Sequence, residues 1–166
     1  MSFYFSGGIL FIPSDYEVGS LSKITVNDVP DIEPAISPDG KKVVFVRKEA
    51  GYSHLYLAEW IYVPIKHNYA LHITQLTSGN HQDKEPCFSP DGRHVVFSSN
   101  RNGKFQLYTL DIENPDSVQR ALPAVPPYTT RNQRNPDWSP DGKWFACSME
   151  YGGQSDIYIA DAWGSD

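Results

Sequence analysis

The tetrapeptide Ser-Pro-Asp-Gly occurs three times in this chain of 166 residues, and the sequence around it recurs in step. The copies begin at Ser37, Ser89 and Ser139, so they are separated by 52 and then by 50 residues. An apolar residue followed by tyrosine begins 15 residues after each turn glycine, as Leu55-Tyr56, Leu107-Tyr108 and Ile157-Tyr158. Such a long and constant period predicts an array of supersecondary units, each of which buries its apolar surface only against its neighbours.

Each unit is composed of short segments rich in β-branched and aromatic residues and bounded by turn-forming residues. Proline sets the φ angle of a turn, aspartate bonds to its own backbone and glycine accepts positive φ, so Pro-Asp-Gly predicts a hairpin between a first strand (A) and a second (B). We expect turns from B to a third strand (C) at Asn100–Gly103 and Tyr151–Gln154, and fourth strands (D) at Leu71–Leu76 and Val118–Leu122. No segment has the apolar spacing of an amphipathic helix, so the predicted fold class is all-β.

Four antiparallel strands that repeat at this period are typical of the blades of a β-propeller. The predicted units are two blades at residues 28–77 and 78–123 and an incomplete blade at 124–161. Residues 1–27 are expected to hold the end strands of a preceding blade, with C at Leu10–Ile12 and D at Leu21–Val26. Closed propellers have about four to eight blades. About three blades therefore indicate either a segment of a longer ring or a ring that several copies complete.

The middle repeat carries a pattern that is specific to one family. The segments Glu85–Gly92, Phe97–Gly103 and Gln106–Tyr108 resemble a blade of the TolB-type (WD40-like) β-propellers. The third repeat departs from the pattern at Glu150–Gly153, where the Asn-Arg-Asn-Gly turn is missing. The resemblance covers roughly residues 28–161. It implies a typically six-bladed ring in a family that includes periplasmic partner-binding proteins, peptidase-associated propellers and polysaccharide lyases.

The resemblance implies a non-catalytic scaffold that displays loops on one propeller face to a protein or peptide partner. Two alternatives stay open. The chain could be the propeller part of an enzyme, a polysaccharide lyase or a prolyl-oligopeptidase-type hydrolase, whose catalytic portion lies elsewhere, or a structural subunit of a larger assembly. We expect no catalytic residue and no cofactor, since the sequence has neither a Gly-x-Ser-x-Gly nucleophile turn nor a glycine-rich phosphate loop.

The loop before the third Ser-Pro-Asp-Gly turn combines an aromatic residue with two arginines, namely Tyr128, Arg131 and Arg134. Tyrosine and arginine are enriched among the residues that dominate binding energy at protein interfaces. On a propeller, the D-to-A and B-to-C loops gather at one face. We therefore expect these three residues to form, with Arg101 and His81, a recognition surface for an acidic or C-terminal peptide.

The D-to-A loop that holds His81, Asp83 and Glu85 is a candidate metal site. Alternate side chains of an extended chain point to the same side, so an imidazole and two carboxylates could face one ion such as Mn²⁺ or Ca²⁺. No complete ligand set is visible in the sequence, so we expect a solvated polar loop and keep these three residues as the metal candidates.

Composition limits the other classes of function. The net charge is −6 and no basic stripe is present, which argues against a nucleic-acid partner. The sequence contains no run of 18 apolar residues, which a membrane-spanning helix would require. The two cysteines are not in a Cys-x-x-Cys motif. Residues 1–6 lack the basic residues of a signal peptide, so a periplasmic or extracellular location is implied by the resemblance alone.

Overall fold

The computed structural model describes residues 3–5, 8–10, 23–63, 68–122 and 130–162. These residues contain thirteen β-strands and no α-helix. Strands β1 (Phe3–Phe5) and β2 (Gly8–Leu10) form a separate antiparallel pair. Over the described part of the chain, no helix is long and apolar enough to cross a membrane.

The other eleven strands form three antiparallel sheets in which neighbours in the chain are neighbours in the sheet. The first blade consists of β3 (Asp31–Ile36), β4 (Lys42–Glu49), β5 (Tyr52–Val63) and β6 (Asn68–Gln75). The second blade consists of β7 (Asp83–Phe88), β8 (His94–Ser99), β9 (Gln106–Asp111) and β10 (Asn114–Arg120). The third sheet consists of β11 (Asn132–Trp138), β12 (Trp144–Tyr151) and β13 (Gln154–Asp161). The prediction of an all-β partial propeller is confirmed.

The Ser-Pro-Asp-Gly turns close the A-to-B hairpins as the sequence predicts. In the first copy, the Ser37 hydroxyl donates to Asp39 at 2.6 Å and accepts the Lys42 N–H at 2.9 Å. The same two hydrogen bonds recur in the second and third copies. The glycine has a φ of 71° in all three turns, a conformation that glycine adopts without steric cost. The serine and aspartate of the motif are therefore turn-forming residues.

Both sides of the middle sheet are packed against a neighbouring blade. Val95 and Phe97 of β8 lie in the cluster shared with the first blade, which includes Val44. Val96 points to the opposite side and lies in the cluster shared with the third sheet, which includes Phe145. This alternation is the two-residue period of a strand that is buried on both faces.

The outer side of the third sheet is exposed. Leu55 of the first blade and Leu107 of the second are 0% and 1% exposed because the following blade covers them. Their counterpart in the third sheet, Ile157, is 76% exposed, and Ile159 beside it is 73% exposed. Large apolar side chains on one sheet face form the kind of surface that soluble proteins usually cover.

One predicted strand is wrong in the part that the structure describes. The sequence predicted a D strand over Leu21–Val26, but residues 23–26 contain no strand. A strand needs a neighbour that satisfies its backbone groups. The predicted neighbour at Leu10–Ile12 is described only up to Leu10, which pairs with Phe3 instead. Residues 11, 12, 21 and 22 lie outside the described residues.

Candidate functional site at the loop face

The D-to-A loops and the B-to-C turns lie at the same end of the blades, which we call the loop face. Strand pairing fixes this arrangement, because Asp83 at the start of β7 is paired with Ser99 at the end of β8. Hydrogen bonds join loops that are distant in sequence. The Asn100 side chain accepts the Gln82 N–H at 2.7 Å, and the Asn100 N–H donates to the Gln82 carbonyl at 3.2 Å. The loop face is thus a cross-linked surface of short connections.

A shallow groove of about 270 Å³ opens on this face between the first and second blades. Its lining comprises Lys48, Glu49, Ala50, Gly51, Tyr52, Ser53, Gln82 and Lys84. Tyr52 is 40% exposed and offers an aromatic surface beside two lysines that come from different blades. The groove therefore combines an aromatic residue with two lysines and one carboxylate, that of Glu49. The Lys84 ammonium also lies 5.5 Å from the centroid of the Phe105 ring.

A buried polar group, the junction cluster, lies where the first two blades meet and consists of His54, His81 and Asp83. The Asp83 side chain is fully buried, and its Oδ2 atom lies 3.3 Å from His81 Nε2 and 3.8 Å from His54 Nδ1. Its other oxygen, Oδ1, accepts a hydrogen bond from Arg101 at 3.1 Å. The two imidazole rings meet edge to face with their centroids 5.5 Å apart.

The three inward-facing atoms of the junction cluster have no hydrogen-bond partner among the described residues. They lie within 4.8 Å of one another. Burial lowers the pKa of His81 below its ordinary value, and the charge on Arg101 adds to this, while Asp83 opposes it. The neutral imidazole, which has a free lone pair, is therefore the favoured form of His81 near neutral pH.

The structure brings together two of the three residues that the sequence selected as metal candidates. His81 and Asp83 meet, but Glu85 points away and forms an ion pair with Arg134, at 2.6 Å. The reason is the φ of 55° at Glu85, because this left-handed residue interrupts the alternation of an extended chain. Sequence reasoning missed His54. It stands at the start of a C strand, which a propeller places beside the A strand of the next blade.

Four of the five residues predicted to bind a partner are described, and each of their side chains has an intramolecular contact. Arg101 lies 4.7 Å from the centroid of the Tyr108 ring, and Arg134 lies 4.3 Å from that of Phe105. Arg131 donates a hydrogen bond to the Tyr158 hydroxyl. His81 belongs to the junction cluster, and Tyr128 lies outside the described residues. The predicted binding role of all five stays a prediction.

Comparison with known proteins identifies the family. The family described as the TolB beta propeller domain matches residues 14–132, which is more than half of the chain. The chain belongs to this family. It is 29% identical over 143 residues to the uncharacterized peptidase YuxL of Bacillus subtilis, a match that covers 78% of this chain and 19% of that protein.

Two TolB proteins are also similar. The TolB homolog of Chlorobaculum tepidum is 24% identical over 126 residues, which cover 76% of this chain and 26% of the homolog. The crystal structure of TolB from Acinetobacter baumannii superimposes with a TM-score of 0.61 at 26% identity, covering 78% of this chain and 29% of that one. The chain thus spans less than a third of the length of these relatives.

Proposed function

We propose that this TolB-type propeller segment is a non-catalytic scaffold that binds an acidic or C-terminal peptide segment of a protein partner at its loop face. The observation that carries the proposal is the groove beside Tyr52, with Lys48 and Lys84 on its rim. An exposed tyrosine is a frequent anchor at interfaces, and the two lysines outnumber the one carboxylate of the groove, Glu49, so the net positive charge favours an acidic ligand. The location that we propose for this role, periplasmic or extracellular, is the one that the resemblance to TolB-type propellers implies.

Rigidity of the loop face supports the same proposal. The loops around the groove are short and joined by hydrogen bonds such as that from the Gln82 N–H to Asn100. A surface that is already ordered loses little conformational entropy when a partner binds. Arg131 and Arg134 extend the proposed surface along the same face. Arg131 donates to Tyr158 and Arg134 donates to Glu85, and the N–H groups that these contacts leave over are the donors proposed for a partner.

Fluorescence anisotropy with a labelled short acidic peptide that has a free C-terminal carboxylate tests this proposal. We expect Tyr52→Ala and Lys84→Glu each to weaken binding at least about tenfold, since the anchor or the favourable charge is lost. Lys41→Glu is the matched control, because Lys41 is exposed at a Ser-Pro-Asp-Gly turn on the opposite end of the blade. If all three changes weakened binding equally, or if none of them weakened it, the proposed role of the groove would be refuted.

A second candidate function is the propeller part of a peptidase. The similarity to the peptidase YuxL favours it, although this chain covers only 19% of that protein. Catalytic residues would then lie in a separate hydrolase domain. Reading the coding sequence on both sides of the segment distinguishes the two proposals. A hydrolase domain in the same frame would favour the enzyme, and further propeller repeats alone would favour the scaffold.

A further inference from the structure

The repeat provides an internal comparison for the buried carboxylate of Asp83. Its counterpart in the first blade is Asp31, and Arg47 donates to both oxygens of that carboxylate at 2.8 and 3.0 Å. In the second blade, Arg101 binds only Oδ1 of Asp83. The other oxygen is fully buried, faces His54 and His81 and has no hydrogen bond. A buried carboxylate oxygen without a partner is costly, so its surroundings call for a further positive group.

Two histidines and an aspartate, which are common metal ligands, occur together at only one of the two described junctions between blades. The residues that occupy the same repeat positions at the second junction are Gln106, Arg131 and Gln133. These side chains do not form an imidazole and carboxylate set. The junction cluster is therefore not a requirement of blade stacking in this fold, since the second junction packs without it.

We propose that His54 Nδ1, His81 Nε2 and Asp83 Oδ2 bind one first-row divalent cation of the zinc class, which joins the first blade to the second. Two imidazoles with one carboxylate suit such an ion, whereas Ca²⁺ and Mg²⁺ prefer oxygen ligands alone. Ligand bonds of about 2.0–2.2 Å in a tetrahedral site place neighbouring ligand atoms roughly 3.3 Å apart. The His81 and Asp83 atoms are already separated by 3.3 Å, and the His54 atom, which lies 3.8 Å from Asp83, would move closer on binding.

The surroundings of the cluster fit this role. Arg101 binds the far oxygen of Asp83 and thereby orients the carboxylate, as second-shell groups of metal sites do. Arg101 is itself held by the Ser99 hydroxyl at 2.9 Å and by the Tyr108 ring. The three ligand atoms are buried, whereas the His81 side chain as a whole is 14% exposed. A water molecule would supply the fourth ligand of the proposed site.

Isothermal titration of ZnCl₂ into the full chain, after treatment with a chelator and dialysis, tests the proposal. We expect one equivalent to bind, and His81→Gln and Asp83→Asn each to weaken binding at least about tenfold. His72→Gln is the matched control, because His72 is an exposed histidine on β6 that is paired with Glu59 and does not belong to the cluster. The control is expected to bind like the native chain.

Co²⁺ provides a measurement that does not depend on any variant. We expect the visible absorption of a four-coordinate ion in the native chain, and its displacement by one equivalent of Zn²⁺. Circular dichroism of each metal-free variant checks its fold. If Asp83→Asn does not fold, the Zn²⁺ affinity of His81→Gln alone tests the proposal. The proposal is overturned if the native chain takes up no Zn²⁺, or if folded His81→Gln binds it with unchanged affinity.

Discussion

The carboxylate of Glu33 in the first blade accepts a hydrogen bond from the main-chain N–H of Glu85 in the second, at 2.7 Å. Glu85 in turn accepts the N–H of Asn135 in the third sheet, at 2.8 Å. All three residues precede a proline, and their φ angles of 51°, 55° and 52° interrupt the pairing of strands A and B. The bulge turns the Glu33 and Glu85 side chains toward the next blade, so this carboxylate latch joins successive blades.

Removing the latch carboxylate should loosen the second junction. Glu85 also accepts hydrogen bonds from Ser98 at 2.8 Å and from Arg134. We expect Glu85→Ala to lower the free energy of unfolding by about 2 kcal/mol, because a hydrogen-bonded charged group is lost and Arg134 is left unpaired. Urea denaturation measures the change. Glu113→Ala, at an exposed position, is the control, and an equal effect of both changes would contradict the latch.

Stability should fall in acid because of the turn aspartates. Burial raises the pKa of Asp91, but hydrogen bonds from Ser89 and from the Arg93 N–H outweigh it and hold the pKa below the ordinary 3.8. A carboxyl whose pKa is lower in the folded state contributes stability that is present above the unfolded pKa and is lost as the pH falls through the folded pKa. Asp39 behaves in the same way for the same reasons.

Thermal unfolding between about pH 5 and pH 2 measures this loss. We expect Asp91→Asn to be less stable than the native chain at pH 7 and to show a shallower decline in acid. Asp116→Asn, at an exposed position of β10, should leave the native profile unchanged. Parallel profiles for the native chain and Asp91→Asn would show that the turn carboxylate does not contribute.

The sequence predicted the blades well because their signals are local and repeated. The turns at residues 37–40, 89–92 and 139–142 and the core strands after them follow from turn chemistry and two-residue periodicity. The contacts of the C-strand tyrosines could not be predicted this way. Arginines stack on all three tyrosine rings but come from unrelated repeat positions: Arg47 on Tyr56, Arg101 on Tyr108 and Arg131 on Tyr158.

The junction cluster was predicted only in part for a related reason. His81 and Asp83 are close in sequence, and their alternation was visible. His54 comes from the preceding blade, so its approach depends on how two sheets pack. The direction of Glu85 depends on a single left-handed residue before a proline, which no periodic pattern reveals.

The first B-to-C turn contains a residue in a strained backbone conformation, and a substitution there can relieve the strain. Ala50 and Gly51 form a two-residue connection with φ angles of 46° and 90°, and the left-handed conformation is unfavourable for alanine. Asn-Gly is a preferred pair for hairpin turns of this kind. We expect Ala50→Asn to raise the free energy of unfolding by about 1 kcal/mol, measured by urea denaturation. An unchanged or lower free energy of unfolding would show that the backbone conformation of Ala50 does not reduce the stability of the native chain.

The exposed face of the third sheet should drive association of the isolated chain. Ile157 and Ile159 present apolar surface that a following blade covers in the other two blades. By light scattering on a size-exclusion column, we expect masses above the 18.7 kDa of a single chain. The double change Ile157→Lys and Ile159→Lys should restore the single-chain mass, whereas Val26→Lys, at a residue 88% exposed, should not. A native chain that stays monomeric at all concentrations would contradict this expectation.

Hydrogen exchange with and without the short acidic peptide tests most directly whether the loop face is where a partner binds. We expect slower exchange in residues 48–53 and 78–84, which surround the groove, and unchanged exchange in β13. Protection confined to β13 would indicate instead that partners cover the open sheet face, as a structural subunit requires. That result would contradict the proposed function.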